Sequence, residues 1–87
     1  MLKIEIYTRP GCGYCTHAKR LLSNKDITFT EYDVYKKPEY LTEMQTRTLG
    51  RTFPQVFIGN VAIGGFTELL ALEEKGQLNK ENNVCQN

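Results

Sequence analysis

The feature that most constrains this chain is a pair of cysteines, Cys12 and Cys15, between a strand-like run and a helical one. Pro10 and Gly11 come just before the pair and break the strand. After the pair, apolar residues recur at helical spacing. Cysteines three positions apart at the start of a helix lie on one face, close enough to form a tight disulfide. This strand, turn and helix context is typical of a redox motif.

The first cysteine of the pair is predicted to be the nucleophile. The N-terminus of a helix carries unpaired N–H groups and about half a positive charge, which stabilise a thiolate on Cys12. Arg9 adds a full positive charge close by in sequence. We expect Cys12 to attack a disulfide and Cys15, one helical turn further in, to resolve the intermediate. The predicted activity is thiol–disulfide exchange.

Composition limits the other classes of function. The chain has 87 residues, and its 11 Lys and Arg against 10 Asp and Glu leave a net charge of +1. This indicates one domain, with no bulk charge that favours nucleic acid. No apolar run approaches the roughly 20 residues that cross a bilayer, and charges stand where a secretory signal needs an apolar core. We therefore expect a cytoplasmic protein that binds neither nucleic acid nor membrane.

Periodicity and turn residues predict the order βαβ, α, ββα. In the first strand, Leu2, Ile4 and Ile6 alternate with polar positions, which predicts one buried face. A helix over about residues 13–24 follows, and then a strand over 27–34. Pro38 opens a second helix, with Leu41 and Met44 on its inner face.

The second half of the chain predicts a hairpin and a last helix. A strand over 52–58 turns at Gly59 and Asn60 into a strand over 61–63. Thr67 is the predicted N-cap of the last helix and Gly76 its C-cap. The resulting fold class is α/β, a small four-stranded mixed sheet with three flanking helices in residues 1–78. Residues 79–87 are predicted to form a loose polar tail.

Three short motifs together resemble the glutaredoxin family over roughly residues 2–78. They are Cys-Gly-Tyr-Cys at 12–15, Thr-Phe-Pro at 52–54 and Gly-Gly at 64–65. The resemblance implies a thioredoxin-like fold, a cis peptide before Pro54, and glutathione as reductant and binding partner. No tryptophan precedes the motif, whereas thioredoxin itself has Trp-Cys-Gly-Pro-Cys.

The resemblance also implies a glutathione site. Tyr14 would form a wall beside glutathione, and the backbone of Phe53 would pair with it. N–H groups after Gly65 would face its γ-glutamyl carboxylate, and Arg9, with Arg51 as a weaker candidate, would meet the other carboxylate. The implied glutathione residues are Arg9, Tyr14, Thr52, Phe53, Pro54, Gly65, Phe66 and Thr67. Simpler readings stay open: Tyr14 as an exposed aromatic, Pro54 as the start of an edge strand, and the arginines as solvated side chains.

Three positions depart from the commonest family pattern. Gly13 replaces the usual proline between the thiols, which should loosen the turn. Some family members with a small residue there bind a [2Fe–2S] cluster between two subunits with two glutathiones, so an iron–sulfur carrier or sensor is the alternative function. Thr67 stands where many members have an acidic residue for the glutathione amine. Phe53 replaces the usual valine.

The remaining cysteine and histidine do not complete a zinc site. His17 is expected to lie on roughly the opposite side of the helix from Cys15, and Cys85 is expected to be a free thiol in the tail. The sequence therefore predicts a monomeric dithiol glutaredoxin, with no bound metal, that reduces protein disulfides and glutathione mixed disulfides.

Overall fold

The computed structural model of this protein describes residues 3–79 and 83–84. Its helices and strands follow the predicted order, and a short additional pair of strands comes at the end. They are β1 (Ile4–Thr8), α1 (Gly13–Asn24), β2 (Thr30–Asp33), α2 (Pro38–Arg47), β3 (Gln55–Ile58), β4 (Val61–Gly64), α3 (Phe66–Glu74), β5 (Leu78–Asn79) and β6 (Asn83–Val84).

The main sheet has four strands in the order β2-β1-β3-β4. β1 runs parallel to β2, joined by the α1 crossover, and antiparallel to β3. β3 and β4 form the predicted hairpin, because Gly59 and Asn60 both adopt the positive φ of a type I′ turn, 58° and 68°. The mixed sheet and three helices confirm the predicted thioredoxin-like α/β fold class.

Both faces of the sheet are covered. On one face a cluster of buried apolar residues packs under α1 and α3, including Ile6, Leu22 and Leu69. On the other face Tyr7, Met44 and Phe57 pack under α2. The prediction of a half-buried first strand is therefore wrong: every residue of β1 is buried, since helices lie on both sides of it.

Other differences lie at the ends of elements. α3 begins at Phe66 with Gly65 as N-cap, not Thr67, because the Glu68 carboxylate accepts a 2.8 Å hydrogen bond from the Gly65 N–H. β3 begins only after Pro54, which has no N–H to give to a ladder. β2 is shorter than predicted, spanning Thr30–Asp33.

The C-terminal segment is only partly as predicted. Leu78–Asn79 pairs in antiparallel fashion with Asn83–Val84, so residues 83–84 are not loose. Cys85 lies outside the described residues. Within residues 3–79 and 83–84, none of the helices has the length and apolar character needed to cross a membrane.

Candidate active site

The thiol pair lies where the turn after β1 enters α1. Gly11 makes this turn with φ of +74°, and Cys12 is the N-cap of the helix. The half-buried Cys12 Sγ accepts a hydrogen bond of 3.1 Å from the Cys15 N–H. Its thiol donates to the Phe53 carbonyl oxygen at 3.5 Å. The sulfur at the N-cap thus accepts a first-turn N–H that has no partner within the helix.

Cys15 is in a different environment from Cys12. Its side chain is buried, with 2% of its surface exposed. Burial raises the pKa of the Cys15 thiol to about 12, and the hydrogen bond with Cys12 adds to the rise, while the Arg9 backbone and the Lys19 charge oppose it. Both cysteines are free thiols. The arrangement can therefore support one accessible nucleophile backed by a protected second thiol.

Gly13, the first of the two residues between the thiols, occupies a position whose geometry would accept proline. It is the first residue of α1, an added Cβ would meet no atom within 4 Å, and Cys12 before it has the extended conformation that proline requires, with φ −96° and ψ 108°. We expect Gly13→Pro to raise the free energy of unfolding by about 1 kcal/mol, because proline restricts the unfolded chain. Urea unfolding of both proteins measures this.

Gly11→Pro is the matched control for that substitution. Gly11 has a φ of +74°, which proline cannot adopt, so this variant should have a lower free energy of unfolding than the parent chain. A Gly13→Pro protein less stable than the parent chain would show that the turn does not have the geometry described here.

Phe53, whose carbonyl oxygen contacts Cys12 Sγ, lines a groove of about 760 Å³, which is called the Phe53 groove. The Phe53–Pro54 peptide bond at its floor is cis, as the resemblance implied. Gly65 passes so close that an added Cβ would lie 3.3 Å from the Pro54 carbonyl oxygen. The groove is lined by Arg9, Tyr14, Val34, Tyr35, Leu41, Arg51, Thr52, Phe53, Gly65, Phe66, Thr67 and Glu68.

One wall of the Phe53 groove is aromatic. The Tyr14 ring stacks on Phe66 of α3, with centroids 6.0 Å apart and planes 22° apart. The exposed His17 ring lies 5.7 Å from Phe66. Tyr14 remains 63% exposed, so most of its surface is open to solvent. The contact with Phe66 holds Tyr14 at the groove without covering it.

The other wall was not predicted. It consists of Val34 and Tyr35, which follow β2, and Leu41 from α2. Leu41 was expected on the inner face of its helix, but it is exposed and lines the groove, whereas Met44 is the one buried residue of α2. An apolar residue at a groove has the same periodicity as one in a core, so no signal in the sequence separates the two.

Charged groups stand at several points along the groove. The Arg9 guanidinium lies 5.7 Å from the centre of the Phe53 ring, and Arg51 is exposed nearby. The Glu68 carboxylate caps the start of α3, next to the exposed Thr67. Sequence reasoning missed Glu68, although an acidic residue three positions after an N-cap is a recognisable signal.

Most of the predicted site residues come together. Of the eight implied glutathione residues, seven line the Phe53 groove, and Pro54 lies buried beneath it. Cys12 stands at the edge of the groove, in contact with Phe53. The first-turn N–H groups at Phe66 and Thr67 have no partner within their own helix, because α3 begins there.

Comparisons with known proteins agree with this geometry. The family model described as Glutaredoxin matches residues 4–63. A glutaredoxin of Neisseria meningitidis serogroup A is 43% identical over 79 residues, which cover 90% of this chain and 93% of the relative.

Solved structures give the same result. The solution structure of a glutaredoxin from Brucella melitensis superposes with a TM-score of 0.78 at 46% identity, covering 100% of this chain and 95% of that one. A structure described as metal binding of glutaredoxins has a TM-score of 0.70 at 48% identity, with the same coverage of 100% and 95%.

Proposed function

Because this chain belongs to the glutaredoxin family, we propose that it is a glutathione-dependent thiol–disulfide oxidoreductase acting on protein disulfides and glutathione mixed disulfides. The single observation that carries this proposal is the asymmetry of the two thiols beside a groove. Cys12 is accessible and capped by an N–H, whereas Cys15 is buried directly behind it. Such a pair can attack one disulfide and then close its own.

The proposed reaction begins with the Cys12 thiolate. It attacks a sulfur of the substrate disulfide, the substrate S–S bond breaks, and the departing thiolate takes a proton. For a glutathione mixed disulfide, Cys12 accepts the glutathionyl group, and a second glutathione removes it as glutathione disulfide. For a protein disulfide, Cys15 attacks the mixed disulfide on Cys12, and the second substrate thiolate leaves. Two glutathiones then reduce the Cys12–Cys15 disulfide.

Glutathione is proposed to occupy the Phe53 groove. The Phe53 backbone would pair with its extended peptide and Tyr14 would flank it. The N–H groups at Phe66 and Thr67 would hold the γ-glutamyl carboxylate at the helix N-terminus. Arg9 and Arg51 would meet the glycyl carboxylate. Thr67 supplies no carboxylate for the glutathione amine, so this contact is absent from the proposal.

A coupled assay tests the function. We expect the full chain to reduce a glutathione mixed disulfide of a small thiol, with glutathione and glutathione reductase consuming NADPH. Arg51→Gln should raise the KM for the mixed disulfide about two- to fivefold, the range of an exposed ion pair. Arg20→Gln is the control, since Arg20 is exposed on α1 and does not line the groove.

The assay separates two failures. No NADPH consumption above the uncatalysed rate would refute the proposed activity. Equal KM values for Arg51→Gln and the parent protein would refute only the placement of the glycyl carboxylate.

A bridged iron–sulfur protein is the second candidate. Gly13 is the small residue that the resemblance associates with a bridging cluster. It is exposed, and there is open space around it. Among the described residues, no three His, Cys, Asp or Glu side chains form a group that could hold a metal ion, so a cluster would need ligands from beyond this part of the chain, such as the two glutathiones of the bridged arrangement. Visible absorbance of protein purified without oxygen, travelling with a dimer on size exclusion, would favour this candidate over the proposed monomer.

The setting of the proposed reaction is a reducing compartment, for which the cytoplasm is the natural choice. There glutathione keeps the dithiol reduced, so that each turnover begins with a free Cys12.

A further inference from the structure

A second cavity, of about 340 Å³, opens beside the thiol pair and shares only Arg9 with the Phe53 groove. Both cysteines line it, together with charged side chains from α1 and β2. Its lining charges are Arg9 and Lys19, which are positive, and Glu31 and Asp33, which are negative. It is called the Lys19 cavity. Of these four charged side chains, the proposed function uses only Arg9.

The Lys19 and Glu31 side chains form a fixed pair in this cavity. Lys19 Nζ lies 2.9 Å from Glu31 Oε2, and the buried Thr8 donates its hydroxyl to the same oxygen at 2.7 Å. Lys19 stands one helical turn after Cys15, so the two share a face of α1. Both charged side chains are about one-third exposed, 36% and 35%, which leaves water access to the cavity.

The resolving step poses a chemical problem that the Lys19 charge addresses. Cys15 can attack only as a thiolate, yet burial raises the pKa of its thiol to about 12. The proton must leave a buried atom, and the remaining negative charge must be stabilised there. The Lys19 charge lowers the pKa of Cys15, opposing the effect of burial.

We propose that Lys19 is a positioning residue for the resolving step, acting through its positive charge on Cys15, and that the Lys19 cavity is the route by which the Cys15 proton reaches water. The proposal rests on the proposed function and adds a part to it. The Cys15 thiol gives its proton to water in the cavity, and its thiolate forms a bond to Cys12 Sγ. The bond between Cys12 and the substrate sulfur breaks, and the substrate thiolate leaves and is protonated.

The test isolates this step without glutathione. An aromatic disulfide reagent that releases a coloured thiolate is mixed in excess with the full chain carrying Cys85→Ser. Stopped-flow absorbance should show two phases of colour. The rate of the first phase depends on the reagent concentration and reports attack by Cys12. The rate of the second phase does not depend on it and reports attack by Cys15 on the mixed disulfide. In Cys15→Ser the second phase should be missing.

The charge of each partner predicts a direction. Lys19→Met should slow the second phase about three- to tenfold at neutral pH and shift the pH profile of its rate to higher pH, since a positive charge only about one-third exposed is lost near a forming anion. Glu31→Gln keeps an acceptor for the Thr8 hydroxyl and removes the opposing negative charge. Its pH profile for the second phase should therefore shift to lower pH. Lys19→Arg should keep the parent profile, and so should Arg20→Met, which removes an equal charge from α1 outside the cavity.

The proposal stands if Lys19→Met shifts the pH profile of the second phase to higher pH and Glu31→Gln does not. It is overturned if Lys19→Met leaves the pH profile unchanged or shifts it to lower pH. It is also overturned if both variants shift the profile to higher pH, as the loss of a merely structural ion pair would. These outcomes are independent of the coupled assay, whose failure alone would refute glutathione-dependent turnover.

Discussion

Cys15→Ser should retain most of its activity on small glutathione mixed disulfides and lose most of its activity on intramolecular protein disulfides. The first reaction needs one attacking thiolate, that of Cys12, and a second glutathione to release it. The second leaves Cys12 in a mixed disulfide with the protein. Cys15 lies directly behind Cys12, with its N–H on the Cys12 sulfur, so it resolves this intermediate at a high effective concentration.

We expect the loss on protein disulfides to be about a hundredfold or more, because resolution must then wait for free glutathione. Cys12→Ser should lose activity on both substrates, and Cys85→Ser on neither. Steady-state rates of these three variants on the two substrates complete the comparison. Activity of Cys12→Ser on either substrate, or inactivity of Cys15→Ser on both, would reverse or remove the assigned roles.

The second large effect concerns stability and involves Arg47 of α2, on the opposite face of the sheet from α1. Arg47 makes two hydrogen bonds with the buried Glu5, of 2.8 Å and 3.2 Å, and donates to the Tyr7 hydroxyl at 2.9 Å. Its guanidinium also lies 4.1 Å from the centre of the Phe57 ring. The Arg47 hydrogen bond is the main cause that holds the pKa of Glu5 below its usual range, against the effect of burial.

We expect Arg47→Met to lower the free energy of unfolding by about 3 kcal/mol at neutral pH. The methionine fills similar space but removes the closest ion-pair partner of the buried Glu5 carboxylate, which is the costly way to break such a pair. The carboxylate would keep only the Tyr32 hydroxyl at 2.8 Å and the exposed Lys3 ammonium at 3.8 Å. The double variant Arg47→Met with Glu5→Gln is the control and should recover much of the loss, since no charge is then orphaned. Urea unfolding of the parent chain and both variants measures this.

The pH dependence of that loss has a definite sign. A carboxyl whose pKa is lowered by folding contributes stability above its ordinary pKa and loses it as the pH falls through the folded value. The difference between the parent chain and Arg47→Met should therefore be largest at neutral pH and shrink in acid as Glu5 is protonated. A difference that is constant with pH would show that packing, not the charge pair, supplies the stability.

Short stretches of sequence determined much of the fold. The predicted helix over 13–24 matches α1, because a proline and glycine precede it and its apolar residues recur at helical spacing. Gly59 and Asn60 identified the hairpin, since both must take positive φ. The thiol spacing and its strand–turn–helix context pointed to redox chemistry for the same reason: these signals lie within a few neighbouring residues.

Only the tertiary structure decided which surfaces these elements share. It buried β1 on both faces, turned Leu41 toward the Phe53 groove, and placed Glu68 on the start of α3. Two charge pairs that carry predictions are distant in sequence: Lys19 and Glu31 are separated by 12 positions, and Glu5 and Arg47 by 42. Periodicity reports the environment along one element, whereas a contact between elements depends on how the whole chain packs.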